Sequence, residues 1–254
     1  MSAARFCCVN ELSNSVRDTT HGGGGSYDDP SGNYPIANVW DNDRRLLWKS
    51  DGTANMVLVF DATGHGSMAC GFVALLAVSK ASGGTLTSCA VDLSADGVGW
   101  INVGTISIDT TASRDFGIKT GVGACAYLRL RFTNTGVITV GKIFVSGGYS
   151  LGTKEGSPGS EDTVIQNRVE QQLVDGSTNV NILGFPGRTV VLLFKSLTGS
   201  ERDVLRYVAS DPDSIVLFDA EDNVMECVVS GGQVKTVRTF VDTYDCTLTL
   251  TRLP

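Results

Sequence analysis

Six side chains in two stretches of this 254-residue chain carry groups able to grip a ligand. Trp40, Asp43, Arg44 and Arg45 fall within NYPIANVWDNDRRLLWKSDG, residues 33–52; Arg129 and Arg131 fall within AYLRLRFTN. An exposed indole stacks on flat apolar faces such as a pyranose ring, while guanidinium and carboxylate groups fix hydroxyls or pair with a partner's charges. The first stretch has neither helical nor strand periodicity, so it reads as an ordered loop pinned by aromatics, a recognition or assembly surface. Of the other two tryptophans, Trp48 and Trp100 are expected as anchors in the core, with Trp40 in an exposed site.

Other chemistry finds little to work with. His21 lies in a glycine run and His65 in the turn ATGHGS, and neither is accompanied by a nucleophile elbow. HGGGGSYDDPSG has no lysine-serine or lysine-threonine ending and no strand-turn-helix context, which excludes a phosphate loop. Asp28 with Asp29, and Asp41 with Asp43, are oxygen donors of the kind calcium takes, yet the spacing of a calcium-binding helix-loop-helix is missing; turn and cap roles are the ordinary reading. No acid pair stands out for glycoside hydrolysis. The expectation is a protein that binds rather than catalyses, with no catalytic residues, metal or cofactor.

Composition narrows the partners. The formal net charge is −7, and the acidity is uneven: 11 basic and 12 acidic residues up to Ser150, then 9 and 15. A clustered basic field is absent, which argues against nucleic acid. No apolar run reaches membrane-spanning length, and MSAARFCCVNELSNSV lacks the apolar centre of a secretory signal, so cytoplasmic synthesis is expected. The seven cysteines are odd in number and scattered without a CxxC, fitting buried reduced thiols; Cys227 and Cys246 are one pair that could close in an oxidising setting.

These groups must be positioned by strands. Thirty glycines against six prolines suggest many turns. From residue 55 to 148 the runs NMVLVFDA, CGFVALLAV, TLTSCAVDLS, WINVGTISI, AYLRLRFTN and VITVGKIFVSG are punctuated by turn residues, as in a β-sandwich. Alternation in AYLRLRFTN puts Leu128, Leu130 and Phe132 on a core face, with Tyr127, Arg129 and Arg131 opposite. LGTKEGSPGSEDT, residues 151–163, reads as a linker. Beyond it, RTVVLLFKSL is a strand. LTGSERDVLRYVAS is a helix, with Thr198 three residues before Glu201 in a capping-box spacing and Val204, Leu205 and Val208 as its apolar stripe; further strands close the chain. The organisation expected is an arm (1–32) docking on a neighbour through Phe6, Val9 and Leu12, a sandwich (33–150), the linker, and a β-rich module with one helix (164–254).

The order of these segments carries a resemblance. A tryptophan loop ending WKSDG precedes VLVFDATG; then come Ser94, Asp96, Gly97 and Trp100 in S-x-DG-x-x-W, the strand around Tyr127–Leu130, and a last strand closing on Val145–Gly147. This resembles the discoidin, or coagulation factor 5/8 type C, family, and implies a galactose-binding-like jelly roll; the family's flanking disulfide is not evident. The element order after residue 163 is similar to modules of tailed-bacteriophage tail-tip, distal-tail and baseplate proteins. Together the resemblances imply a mainly β structural virion protein, made in the bacterial host cytoplasm, that assembles with copies of itself and other virion proteins. The alternative is a carbohydrate-binding module recognising a host-surface glycan.

Overall fold

A computed structural model describes residues 5–6, 10–20, 27–28, 30–40, 46–80, 85–108, 117–147, 149–150, 161–165, 168–172, 178–182, 187–210, 215–218 and 224–252. They are mainly β, in two compact units: Val9–Gly148, and a second made of Met1–Cys8 with Tyr149–Pro254. In chain order the first strands are β1 (Arg5–Phe6), β2 (Val16–Asp18), β3 (Trp48–Lys49), β4 (Val57–Asp61), β5 (Met68–Lys80), β6 (Thr85–Ser94), β7 (Ile101–Ser107), β8 (Gly117–Cys125), β9 (Tyr127–Thr135) and β10 (Ile138–Ser146).

The first unit is a β-sandwich of two antiparallel sheets, ordered β2-β4-β9-β6-β7 and β3-β10-β5-β8. Its core is built by alternation: Leu58 and Phe60 from β4, Cys89 and Val91 from β6, and Leu128, Leu130 and Phe132 from β9 all point inward. Arg129 and Arg131 take the intervening positions. β5 is buried on both faces. A register shift between Cys70 and Phe72 carries Phe72 to the side where it stacks on Phe144, while Val73 and Leu75 stay in the core. The chain passes so tightly there that a Cβ on Gly71 would overlap the carbonyl oxygen of Gly147.

Strand β8 escaped the pattern reading. Its sequence, GIKTGVGAC, has three glycines and no clean alternation, and among the described strands it pairs with β5. The aromatic loop also has more structure than its composition suggests, with a short 3₁₀ turn at Ile36–Trp40 before β3. Trp48 is wholly buried, leaning on Phe132, and its indole N–H donates to Asp28 at 2.8 Å, so this carboxylate serves the core.

The arm is corrected most. Phe6 lies in β1, which pairs with a strand of the second unit, and Val9 lies outside the described residues. Leu12 does not reach for a neighbour: it is fully buried in the sandwich core, and β2 just after it joins a sheet beside β4. Asn10 explains why this segment is held. Among the described residues, β3 pairs with β10 at Thr139 and Val140, ahead of Ile143 and Val145. The Asn10 side-chain amide donates to the Ile143 carbonyl at 2.9 Å, and its carbonyl accepts the Val145 N–H at 3.0 Å, so one side chain does the work of a strand edge.

The second unit continues with β11 (Tyr149–Ser150), β12 (Glu161–Ile165), β13 (Arg168–Gln172), β14 (Thr178–Ile182), β15 (Gly187–Leu197), α1 (Gly199–Ser210), β16 (Ile215–Phe218), β17 (Val224–Phe240) and β18 (Thr243–Arg252). β11 pairs with β1, β13 with β14, and a five-stranded antiparallel sheet runs β12-β15-β18-β17-β16. β12 starts within the stretch expected to be a linker; residues 151–160 lie outside the described ones. Helix α1 begins with a reciprocal capping box: the Thr198 N–H donates to the Glu201 carboxylate at 2.7 Å, and the Glu201 N–H donates to Thr198 Oγ1 at 3.3 Å. Its buried residues Leu205, Val208 and Ala209 share a core with Phe194, Cys246 and Leu248 of the sheet.

All three tryptophans belong to the sandwich unit, so their fluorescence follows its unfolding alone. Leu12→Ala should lower the stability of that unit by about 2–5 kcal/mol in urea titrations read this way, as for other buried leucines. A loss within error of zero would return this segment to the role of a loose arm.

Candidate functional site

The outer face of the sheet β2-β4-β9-β6-β7 carries the densest polar constellation among the described residues. At its centre is Asp92 of β6, whose position alternates with the core residues Val91 and Leu93 and so faces away from the core. Its register partners are Arg129 on β9 and Asn102 on β7. The carboxylate accepts four hydrogen bonds. Arg131 Nε (2.6 Å) and Arg129 Nε (2.8 Å) donate to Oδ2; Asn102 Nδ2 (2.7 Å) and Arg131 Nη2 (3.0 Å) donate to Oδ1. The Asp92 side chain is only 1% exposed, against 20% for Arg129 and 45% for Arg131.

Such burial pushes a carboxyl pKa up, but the donors from Arg131, Asn102 and Arg129 outweigh it and hold Asp92 down at about 2. Two guanidinium groups against one carboxylate leave the cluster with a surplus positive charge at its exposed rim. The Arg131 guanidinium is correspondingly held more firmly protonated, chiefly by its hydrogen bond to Asp92.

Trp100 completes the face. The Arg129 guanidinium carbon lies 4.2 Å from the indole centroid, a cation–π stack. The indole is half-buried and does not plug the core, which corrects its expected role as an anchor. The turn before it is built from its own side chains. Asp96 Oδ1 accepts the N–H groups of Val98 and Gly99, each at 2.9 Å, and Ser94 Oγ accepts that of Gly97 at 2.9 Å. Gly97 takes φ +76°, where a side chain would be strained. These backbone donors, Gly99 first, hold the Asp96 carboxyl below its usual range. The S-x-DG-x-x-W segment is thus a rigid turn that ends by presenting an indole.

Edge strand β7 separates this polar face from a second surface. Trp100 and Asn102 belong to the charged cluster, while Ile101 and Val103 line an apolar crevice of about 540 Å³ with Leu93, Val122 and Cys125. Ile101 is 70% exposed at its mouth.

Of the residues singled out from sequence, Arg129 and Arg131 come together here. Trp40 is elsewhere: it is half-buried, packs against the core and meets Phe60 nearly at right angles with centroids 6.0 Å apart, so it is not a free platform. Asp43, Arg44 and Arg45 lie outside the described residues. Asp92, Asn102 and Trp100 were missed as site residues. The signal for Asp92 was available, since it is the one charged residue in TLTSCAVDLS and sits out of phase with that strand's apolar positions.

No protein-family model and no curated protein matches the chain. Among solved structures it is similar to a family 32 carbohydrate-binding module from a family 31 glycoside hydrolase of Clostridium perfringens, at 14% identity and TM-score 0.42 over 55% of this chain and 93% of that one. It is also similar to the C-terminal domain of a chitobiase from Bacteroides fragilis (16%, TM-score 0.39, 49% and 90%) and to the lectin domain of lectinolysin in complex with Lewis b antigen (14%, TM-score 0.34, 54% and 95%). The expectation of a tailed-phage virion protein gains nothing from these matches.

The low pKa of Asp92 sets a pH dependence. The folded carboxyl gives up its proton more readily than an unfolded one, whose pKa is about 3.9, so the stabilisation is complete above about pH 4 and is lost as pH falls towards 2. It amounts to about 2 kcal/mol. In urea titrations at pH 6, 4 and 2.5, Asp92→Asn should flatten the decline of sandwich stability between the two lower values; an unchanged slope would mean that the ion cluster contributes nothing to the folded state.

Proposed function

We propose that the sandwich unit is a carbohydrate-binding module, acting by binding and not by catalysis, with its glycan site at Trp100, Arg129, Arg131 and Asn102. The observation that carries this reading is the cation-stacked indole beside a prearranged, partly exposed set of hydrogen-bond donors. A sugar ring offers an apolar face to stack on an indole and hydroxyls for donors and acceptors around it. Asp92 restrains both arginines before any ligand arrives, and the half-exposed Arg131 and exposed Asn102 supply the polar contacts. Prearranged groups lose little entropy on binding, which favours recognition of a small rigid unit such as a terminal sugar. A host-surface glycan fits this chemistry. The test is a glycan array with the full chain, followed by calorimetry on any hit. Trp100→Ala should weaken binding about tenfold, or about 1.4 kcal/mol, while Trp40→Ala should leave it unchanged. Binding that ignores Trp100 and Arg131 would move the site elsewhere, and an empty array would count against the module.

A second reading, assembly with copies of the same chain, is favoured by the tip of the β17–β18 hairpin. Phe240 and Val241 are 75% and 66% exposed beside Val237 on a turn. Apolar groups clustered on a protruding turn suit burial against a neighbour. The finer idea of a phage tail or baseplate component rests only on the element order of this unit. Light scattering decides the oligomer question: the full chain should form a defined oligomer, and Phe240→Ser should shift its mass towards the monomer. A monomeric parent chain would remove this reading.

A further inference from the structure

One pair of thiols stands in contact beside the apolar crevice. Cys70 Sγ and Cys125 Sγ are 3.6 Å apart across β5 and β8, and both residues are buried. The register explains the approach. Cys125 is paired with Met68 and Cys70 with Gly123, so the two cysteines are diagonal neighbours, and Gly123 puts no side chain opposite Cys70. Cys125 lines the crevice and Cys70 lies behind it.

We propose that Cys70 and Cys125 form a reactive dithiol in the crevice wall, a modification site that small, uncharged disulfides convert into an internal disulfide. The geometry sets the order of events. A neutral reagent enters past exposed Ile101 and Ser67, between apolar walls that would exclude a charged one. Cys125 loses its proton and its sulfur attacks the reagent's disulfide; a mixed disulfide forms and one thiolate leaves. Cys70 then loses its proton, attacks Cys125 Sγ and expels the second thiolate. The two protons end on the two departing thiols, so one reagent disulfide is reduced as the protein pair is oxidised.

The sulfur–sulfur contact lowers the Cys125 pKa, the direction that favours Cys125 as first attacker, while the same contact and burial raise Cys70. Cys89 makes a useful internal contrast. It is fully buried in the core, its sulfur donates to the Ala90 carbonyl at 3.8 Å, it does not line the crevice, and burial pushes its thiol up. Closing the link joins β8 to β5 and reshapes the wall on which Cys125 sits.

The experiment treats the native full-length chain with hydroxyethyl disulfide, quenches in acid, measures the intact mass and maps the linked peptides. The expected product has lost two hydrogens, contains a Cys70–Cys125 link and leaves Cys89 unreacted. Cys70→Ala should stop at the mixed disulfide, retaining one hydroxyethylthio group on Cys125. In Cys125→Ala, Cys70 modification should fall to background. Tryptophan fluorescence of each variant establishes that it is folded. Failure to find the Cys70–Cys125 link in the oxidised native parent chain overturns the proposal, as does Cys70 reacting equally fast in the folded Cys125→Ala variant.

Discussion

A carboxylate that is 1% exposed has to be answered by donors, and the sandwich's outer face is arranged around that demand at Asp92. An isolated buried carboxylate costs several kcal/mol. Here the cost is offset by hydrogen bonds from strands on both sides, β9 supplying two guanidinium groups and β7 an amide. Because these partners lie across the register from Asp92, a slip of one residue in either pairing would move them to the wrong face. The ion cluster and the strand order therefore specify each other. Arg129 passes the constraint outward: fixed at one side by Asp92, it is stacked against Trp100, so the position of the indole depends on a buried charge one strand in from the edge strand β7.

What could be read in advance follows from how local each determinant is. The alternation of Leu128, Leu130 and Phe132 with Arg129 and Arg131 is visible in nine residues, and it emerges unchanged. Helix α1 was equally legible, because both ends of its capping box and its apolar stripe lie within twelve residues. Strand β8 was not, since glycines erase the pattern and its pairing comes from β5, some fifty residues earlier. The inclusion of Leu12 in the core was also hidden. It depends on Asn10 bonding to the backbone of β10, a partner 133 residues away, and no window of the sequence contains both.

The tryptophans show the same limit more sharply. Trp40, Trp48 and Trp100 have similar intrinsic preferences, yet one packs half-buried against the core, one is wholly buried, and one lies under a guanidinium at the surface. Long-range partners decide each case. Asp28 satisfies the indole N–H of Trp48 and permits its full burial, whereas Trp100 is pinned by Arg129, nearly thirty residues later. Indole placement here is a property of tertiary pairing, which explains why the polar face around Asp92 was only half visible as two arginines.

Strand β7 brings the two surfaces of this unit into one argument. Among the described strands it pairs with β6, and successive side chains from Trp100 onward part company: Trp100 and Asn102 join the charged face, while Ile101 and Val103 line the crevice. The rigid turn from Ser94 to Gly99 sets the start of both rows. Its side-chain hydrogen bonds serve Trp100 and equally fix the mouth of the crevice, to which Ser94 and Ala95 belong. Covalent closure between Cys70 and Cys125 would act on the crevice's far wall, in the opposite sheet, whereas Asp92 acts through the near one. The polar face around Asp92 and the crevice that Cys125 lines thus share strands β6 and β7 without sharing a residue of the ion cluster, so the backbone of these two strands links the two surfaces.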